Sequence, residues 1–369
     1  MQKMEAISKE KCSFLKNGVS GLMRVKNDEE FVEACIESCI EALDELVIVY
    51  NDCSDTTPNI LEKERQKYPD KIRIFEYKDK VYAVNLTKEE FDYAQTLPDN
   101  SPHLLCNYYN FALSKVSYKF AVKIDADQIY FSGQLKKWCD ICREEITSIN
   151  YIRYIRGWLF NLYFMAFKQL CFRCNKAFPL LPNWIIKSFH SSYLEYAKVQ
   201  VKRGKACLSL SGVNVIKDDN KWYVTLGNKN DLINILPPFN GEGDHLIFRV
   251  SENTYYEKYN MPYYNLLTSN QYSLIETFTH PYKILCMGFS WFHLNGMRQK
   301  CKEKVLKVKT DNPTCFIELN NFYSAKYSWI LSKVDKEMCT IRQRVLFMFI
   351  YKSDRFSIKR FATLLDKWF

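Results

Sequence analysis

Asp125 and Asp127 stand one residue apart at the end of an apolar run, in the stretch AVKIDADQIY at residues 121–130. In an extended chain the side chains at i and i+2 point to the same side, so the two carboxylates sit together where the strand ends. Like charges that close repel. The arrangement calls for a cation, or for a buried role in which one carboxyl keeps its proton. Two more polar groups follow apolar runs: Arg24, Lys26, Asn27 and Asp28 after residues 20–23, and Asn51, Asp52 and Asp55 after ELVIVY at 45–50. Asn27 with Glu30 three places on has the form of a capping box. A strand-to-helix turn of that kind exposes backbone N–H groups and the positive end of a helix dipole, which suits a phosphate.

These groups act together only if a scaffold brings the strand ends to one place. Phe31, Cys35, Cys39 and Leu43 recur every four residues beside Val32, Ile36 and Ile40, which predicts an amphipathic helix. ELVIVY reads as a strand, Thr57-Pro58 opens a second helix, KIRIFEY at 71–77 is a third strand, residues 103–116 read as a helix, and KFAVKI is the strand that delivers the paired carboxylates. Strands alternating with helices in this way predict an open, largely parallel sheet covered on both faces, with ligands bound outside the carboxyl ends of its strands. Beyond residue 150 the rhythm changes. A basic aromatic segment comes first, then a hairpin over 206–225 turning at Asp218-Asp219-Asn220, then 237–250, an apolar block at 278–297 with His280 and His293, and a basic, helix-like end from residue 341.

Composition excludes some classes. With 47% hydrophobic and 15% aromatic residues the chain is not disordered, and 369 residues leave room for two lobes. The 14 cysteines follow no regular framework and the first twenty residues lack a secretory apolar core, so reduced thiols and a cytoplasmic location are expected. GWLFNLYFMAF, the longest strongly apolar run, is shorter than the roughly 18 residues needed to span a bilayer. Two Cys-x-x-Cys pairs, Cys139/Cys142 and Cys171/Cys174, invite a zinc reading, but residues 143–170 separate them, neither carries a Gly or Pro knuckle, and both look helical. A net charge of +10 suits a nucleic acid, an anionic membrane or a phosphorylated substrate alike. Its distribution is more telling: residues 151–189 hold Arg153, Arg156, Lys168, Arg173, Lys176 and Lys187 and no acid. That segment and the C-terminal tail interleave bases with aromatics, as an interfacial helix on the inner face of a cell membrane would, or simply a core helix with a basic face. No nucleic-acid module accompanies them, and no nucleic-acid partner is expected.

RVKNDEEFVEACIES followed by DELVIVYNDCSDTT resembles the opening of family 2 glycosyltransferases, and KIDADQIY resembles the Asp-x-Asp motif of nucleotide-sugar-dependent enzymes of the GT-A fold. More narrowly RVKN, YNDCSD, YYN and KIDADQIY, in this order, are similar to the bacterial β-1,4-N-acetylgalactosaminyltransferases of lipooligosaccharide outer-core synthesis, over residues 20–135. The resemblance implies an α/β GT-A fold, a Rossmann-like open and mostly parallel sheet flanked by helices. Its expected parts are a nucleotide-sugar half at 18–150, a basic aromatic helical insertion at 151–205, an acceptor half at 206–310 and a basic helical extension at 311–369. It implies that Asp127 binds Mn²⁺ or Mg²⁺ bridging the donor diphosphate, and that Asp125 reaches the ribose or holds a metal-bound water. Asn51 and Asp52 would lie by the uracil, although Tyr50-Asn51 stands where the wider family commonly has two acids, and Asn110 would line the donor site. His293 would complete the metal site or touch the diphosphate, and Asp244, with Glu242 as the second candidate, would take the acceptor hydroxyl's proton in an inverting transfer. The function so implied is transfer of a sugar, N-acetylgalactosamine first, from a UDP donor to a surface glycan or glycolipid. The alternatives are a non-catalytic glycan- or membrane-binding protein of the same fold, and a metal-dependent nucleotidyltransferase.

Overall fold

In the computed structural model the described residues are 7–83, 86–146, 148–176, 178, 181–228, 235–241, 245–259, 263–264, 272–334 and 339–369. The chain divides into two compact units, Met1–Asp127 with Leu246–Tyr282, and Gln128–His245 with Lys283–Phe369.

The first unit runs α1 (Lys9–Phe14), β1 (Lys16–Val25), α2 (Val32–Cys39), β2 (Glu45–Tyr50), α3 (Thr57–Lys67), β3 (Ile72–Glu76), α4 (Lys88–Thr96), α5 (Leu105–Ser114) and β4 (Tyr118–Asp125). β3, β2, β1 and β4 lie side by side in that order, all parallel, and the returning strand Leu246–Arg249 pairs antiparallel with β4. This is the expected open, mostly parallel sheet. Val47, Ile48 and Val49 of β2 and Ala121, Val122 and Ile124 of β4 are buried, the nearly continuous apolar run of strands covered on both faces. Each Val or Ile among them contributes on the order of 1.5–3 kcal/mol by leaving water. Helix α3 starts where Pro58 can occupy the first turn without losing a hydrogen bond, and it ends on Arg65 and Lys67, whose charge suits the helix C-terminus. Segment 246–282 packs with the first 127 residues, and its strands Tyr255–Lys258 and Glu276–Thr279 form an antiparallel pair.

The expected capping box at Asn27 does not form. Helix α2 begins only at Val32, with Phe31 as its uncapped entry. Asn27 instead adopts a left-handed backbone (φ 54°), and its side-chain oxygen accepts the Ser54 N–H at 2.8 Å. An amide that can tolerate that backbone is worth more to the turn than one fixed as a cap.

The second unit holds β5 (Gln128–Tyr130), α6 (Ser132–Arg143), α7 (Tyr151–Arg173), α8 (Asn183–Lys202), β6 (Ala206–Asp218) and β7 (Lys221–Thr225). β6 and β7 are the expected hairpin, with Asp219 left-handed at its turn. The long strand Lys283–His293 pairs parallel with β6 and antiparallel with β5. Phe349 of the basic helix Ile341–Phe361 packs on α7, its ring 5.6 Å from Phe160 and 4.4 Å from Phe164. Cys139 and Cys142 lie in α6, Cys171 in α7 and Cys174 at its C-cap, so both Cys-x-x-Cys pairs are helical as expected. Among the described residues no helix is long and apolar enough to cross a membrane.

Candidate active site

The carboxyl ends of β2, β1 and β4 are neighbours. Val25 pairs with Tyr50 and Arg24 with Asp125, so the three polar clusters read from the sequence fall on one rim of one sheet. A left-handed residue stands two positions past the end of β1 and of β2, Asn27 and Asp52. Non-glycine residues adopt that backbone at a cost, and the surroundings hold it here: Asn27 braces Ser54, and the Lys26 ammonium donates to the Asp52 carboxylate at 2.8 Å. The Lys26 hydrogen bond holds the Asp52 carboxyl below its usual range. The backbone N–H groups that would await a phosphate at this turn are engaged. Asp28 N–H donates to Thr57 Oγ1 at 2.9 Å, Glu29 N–H to Asp55 at 3.2 Å, and Phe31 and Val32 N–H both to the Asp28 carbonyl.

Around β4 the chemistry is denser. Asp127 is 8% exposed and Asp125 is half-buried. The Cys35 thiol of α2 donates to the Asp125 carbonyl at 3.2 Å, which pins the strand end; burial and Cys39 push that thiol's pKa well up, so it stays a neutral donor. The ammonium of buried Lys123 lies 3.6 Å from the Asp125 carboxylate, two residues back on the same side of the strand. The Arg24 guanidinium lies over the Tyr109 ring, 2.9 Å from its centroid, and Lys123 Nζ is 5.7 Å from the same centroid. Tyr109, Arg24, Lys123 and Asp125 therefore form one packed group, with cations on the aromatic face and beside the carboxylate. Lys123 and Tyr109 were not singled out from the sequence. Lys123 had a legible signal, since a lysine inside an otherwise apolar buried strand needs a partner and the nearest acid on its side is two residues on.

The other expected site residues divide. Asn51 is buried at the end of β2, where its amide donates to the Tyr77 carbonyl at 2.6 Å and the Asp79 carbonyl at 2.8 Å. Asn110 is buried in α5, its amide paired at 2.8 Å in both directions with the backbone of Tyr256. Both amides brace backbone. Tyr108, also in α5, likewise donates its hydroxyl to a backbone carbonyl, that of Val49 at 2.6 Å, and burial raises its pKa. His293 belongs to the second unit, where Nδ1 lies 2.7 Å from Asn214 Oδ1 and 3.1 Å from Asn240 Nδ2. Asp244 and Glu242 lie outside the described residues.

Among the described residues no three His, Cys, Asp or Glu side chains gather as a metal cage. Mg²⁺ and its like are commonly held by one or two carboxylates together with substrate phosphates, and two hard-oxygen groups at a strand end match that donor set.

The family model described as Beta-1,4-N-acetylgalactosaminyltransferase (CgtA) matches residues 4–177. The N-terminal half is similar to that family. Its span contains all the strand-end residues above. Among solved structures, glucosyl-3-phosphoglycerate synthase from Mycobacterium tuberculosis in complex with Mn²⁺ and UDP-glucose is 16% identical over 33% of this chain and 36% of its own, at a TM-score of 0.21. The same synthase with Mg²⁺ and UDP is 17% identical over the same shares, at 0.20. S. aureus TarS 1-349 is 12% identical over 94% of this chain and 91% of its own, at 0.28. The aligned part spans about a third of the length of the synthase. No curated protein matches.

Proposed function

We propose that this protein is a glycosyltransferase that moves a sugar from a UDP-sugar donor to a glycan or glycolipid acceptor, with N-acetylgalactosamine as the sugar and a surface lipooligosaccharide precursor as the acceptor class. The observation that carries the reading is the carboxylate pair Asp125/Asp127 at the end of β4, beside the ends of β1 and β2. The family match over residues 4–177 supports it, and the choice of sugar rests on that family's description alone.

Asp127 and Asp125 would hold Mn²⁺ or Mg²⁺. When bound, such an ion stabilises as a Lewis acid the negative charge that gathers on the departing nucleoside diphosphate. The chain's own part is to orient and balance charge. The Lys123 ammonium lies beside the Asp125 carboxylate, Arg24 stacked on Tyr109 presents a second positive group, and Lys26 holds Asp52 after the neighbouring strand. Asn51 acts through the backbone of 77–79, which it holds at the edge of the same rim. Asp244, or Glu242, is proposed as the base that accepts the acceptor hydroxyl's proton in an inverting transfer, and His293 as a group reaching the diphosphate.

The test is to incubate the purified chain with a panel of UDP-sugars and Mn²⁺ and to measure UDP. Release from one sugar, abolished by EDTA and restored by Mn²⁺ or Mg²⁺, is the expected result. EDTA-insensitive turnover would refute the metal role, and pyrophosphate in place of UDP would identify a nucleotidyltransferase.

A further inference from the structure

Helix α7 is apolar on two opposite faces. The inner one, Gly157, Phe160, Phe164 and Cys171, is buried against α8 and the helix Ile341–Phe361. The outer one carries Ile152, Ile155, Trp158, Leu159, Leu162 and Met165, and all six are exposed, Ile152 to 74%, Trp158 to 43% and Leu162 to 45%. Positions 152, 155, 159 and 162 recur at the three- and four-residue steps of one helix face. A helix apolar all round belongs in a core or in lipid, and a helix of 23 residues, about 34 Å long at 1.5 Å per residue, offers far more uncovered apolar surface than a soluble face needs. Trp184, at the start of α8, is 73% exposed as well.

Charge selects the occupant. Arg153, Arg156, Lys168, Arg173 and Lys176 flank the stripe, and from residue 151 to 189 there is no acid. Two copies of this face brought together would set like charges against one another. An anionic lipid surface offers both an apolar layer for the stripe and negative headgroups for its flanks. We infer that α7 docks the protein on an anionic membrane, lying in the interface with its outer face among the acyl chains. No span across the bilayer is involved. The inference stands apart from the sugar-transfer reading, and its test reads lipid binding alone.

The experiment is flotation of the full chain with vesicles of phosphatidylcholine, with and without about a third phosphatidylglycerol. Binding to the anionic vesicles, weakened by added salt, is expected. The triple variant Ile155→Glu, Leu159→Glu, Leu162→Glu should lose about tenfold or more in vesicle affinity while keeping the wild-type circular dichroism and melting curve, since all three side chains face outward. A second variant, Arg153→Glu with Arg173→Glu, leaves the stripe intact and should lose the preference for anionic over neutral vesicles, so a misfolded triple variant does not remove the test. No binding to either vesicle, equal wild-type binding to both, or wild-type binding by the folded triple variant overturns the inference. A dimer in light scattering that the triple variant dissolves, without vesicle binding, overturns it in favour of a second copy.

Discussion

Two pairs of carboxyl groups among the described residues of the first unit deal with mutual repulsion in opposite ways. Glu37 of α2 and Glu64 of α3 meet between two helices. Glu64 is 1% exposed, and burial first, with a hydrogen bond to Glu37 second, pushes its pKa up to about 7. Burial also works against the Glu37 anion, but hydrogen bonds from Lys67 and Tyr68 outweigh it and leave that carboxyl below its usual range. The pair is stabilised by holding one proton between two acids. Asp125 instead ends β4 and Asp127 lies in the turn just after it, with the Lys123 ammonium beside Asp125 and Arg24 paired to it across the sheet. One pair is neutralised by a proton between packed helices, whereas the other keeps company with fixed cations at the end of a strand. The difference separates neutralisation by a proton from balance by fixed charge, although both began as two acids.

Four substitutions break or sharpen that contrast. The largest effect is expected for Asp127→Asn, which keeps the shape and removes a charge. UDP release should fall by about a hundredfold, near 2.7 kcal/mol of barrier, with melting little changed. Undiminished turnover would leave the rim pair without a chemical role. Asn110→Ala comes next, because it strands the buried N–H and carbonyl of Tyr256. About 2 kcal/mol of stability should be lost in denaturant titrations. Activity per folded molecule should hold, and a fall in it would return Asn110 to the donor site.

Glu64→Gln is smaller and depends on pH. The folded Glu64 value of about 7 lies above the ordinary 4.5, so the unfolded chain gives up its proton first. The carboxyl's contribution is therefore complete below the ordinary value and is lost as pH rises through about 7. Thermal melts across that window should show the glutamine variant equal to wild type in acid and more stable by about 1–2 kcal/mol at mildly alkaline pH. A variant that is instead less stable than wild type at high pH would mean that folding lowers the Glu64 pKa rather than raising it. Lys123→Met is expected to be mildest. It removes the ammonium next to a carboxylate that solvent still reaches, and a loss of about 1 kcal/mol in chemical denaturation is expected. No loss would show that the charge of Asp125 is balanced by other groups.

Much of the first unit was legible. The four strands and the helices around residues 32–39, 57–67 and 105–114 follow from local apolar periodicity and from Pro58; the two-residue strand repeat does not describe the carboxylates, because β4 ends at Asp125 and Asp127 lies in the turn after it. The turn after β1 was read less well. Asn27 and Glu30 have capping-box spacing, but the choice between capping a helix and bracing Ser54 depends on a segment 27 residues away in the chain. Asn110 shows the same limit, because its type and place in YYN fit a ligand contact and its real partner is the backbone of Tyr256.

The sequence alone determined where the four parallel strands and the helices α2, α3 and α5 fall and that two acids follow the apolar run of β4, because side-chain periodicity is a property of the local backbone. Only the tertiary structure decided that residues 246–282 return to the first unit, that Lys123 and Tyr109 join the rim group, and which of two apolar faces of α7 is covered. Those are choices of partner, and a partner is fixed by packing between segments far apart in the chain, which no local pattern encodes.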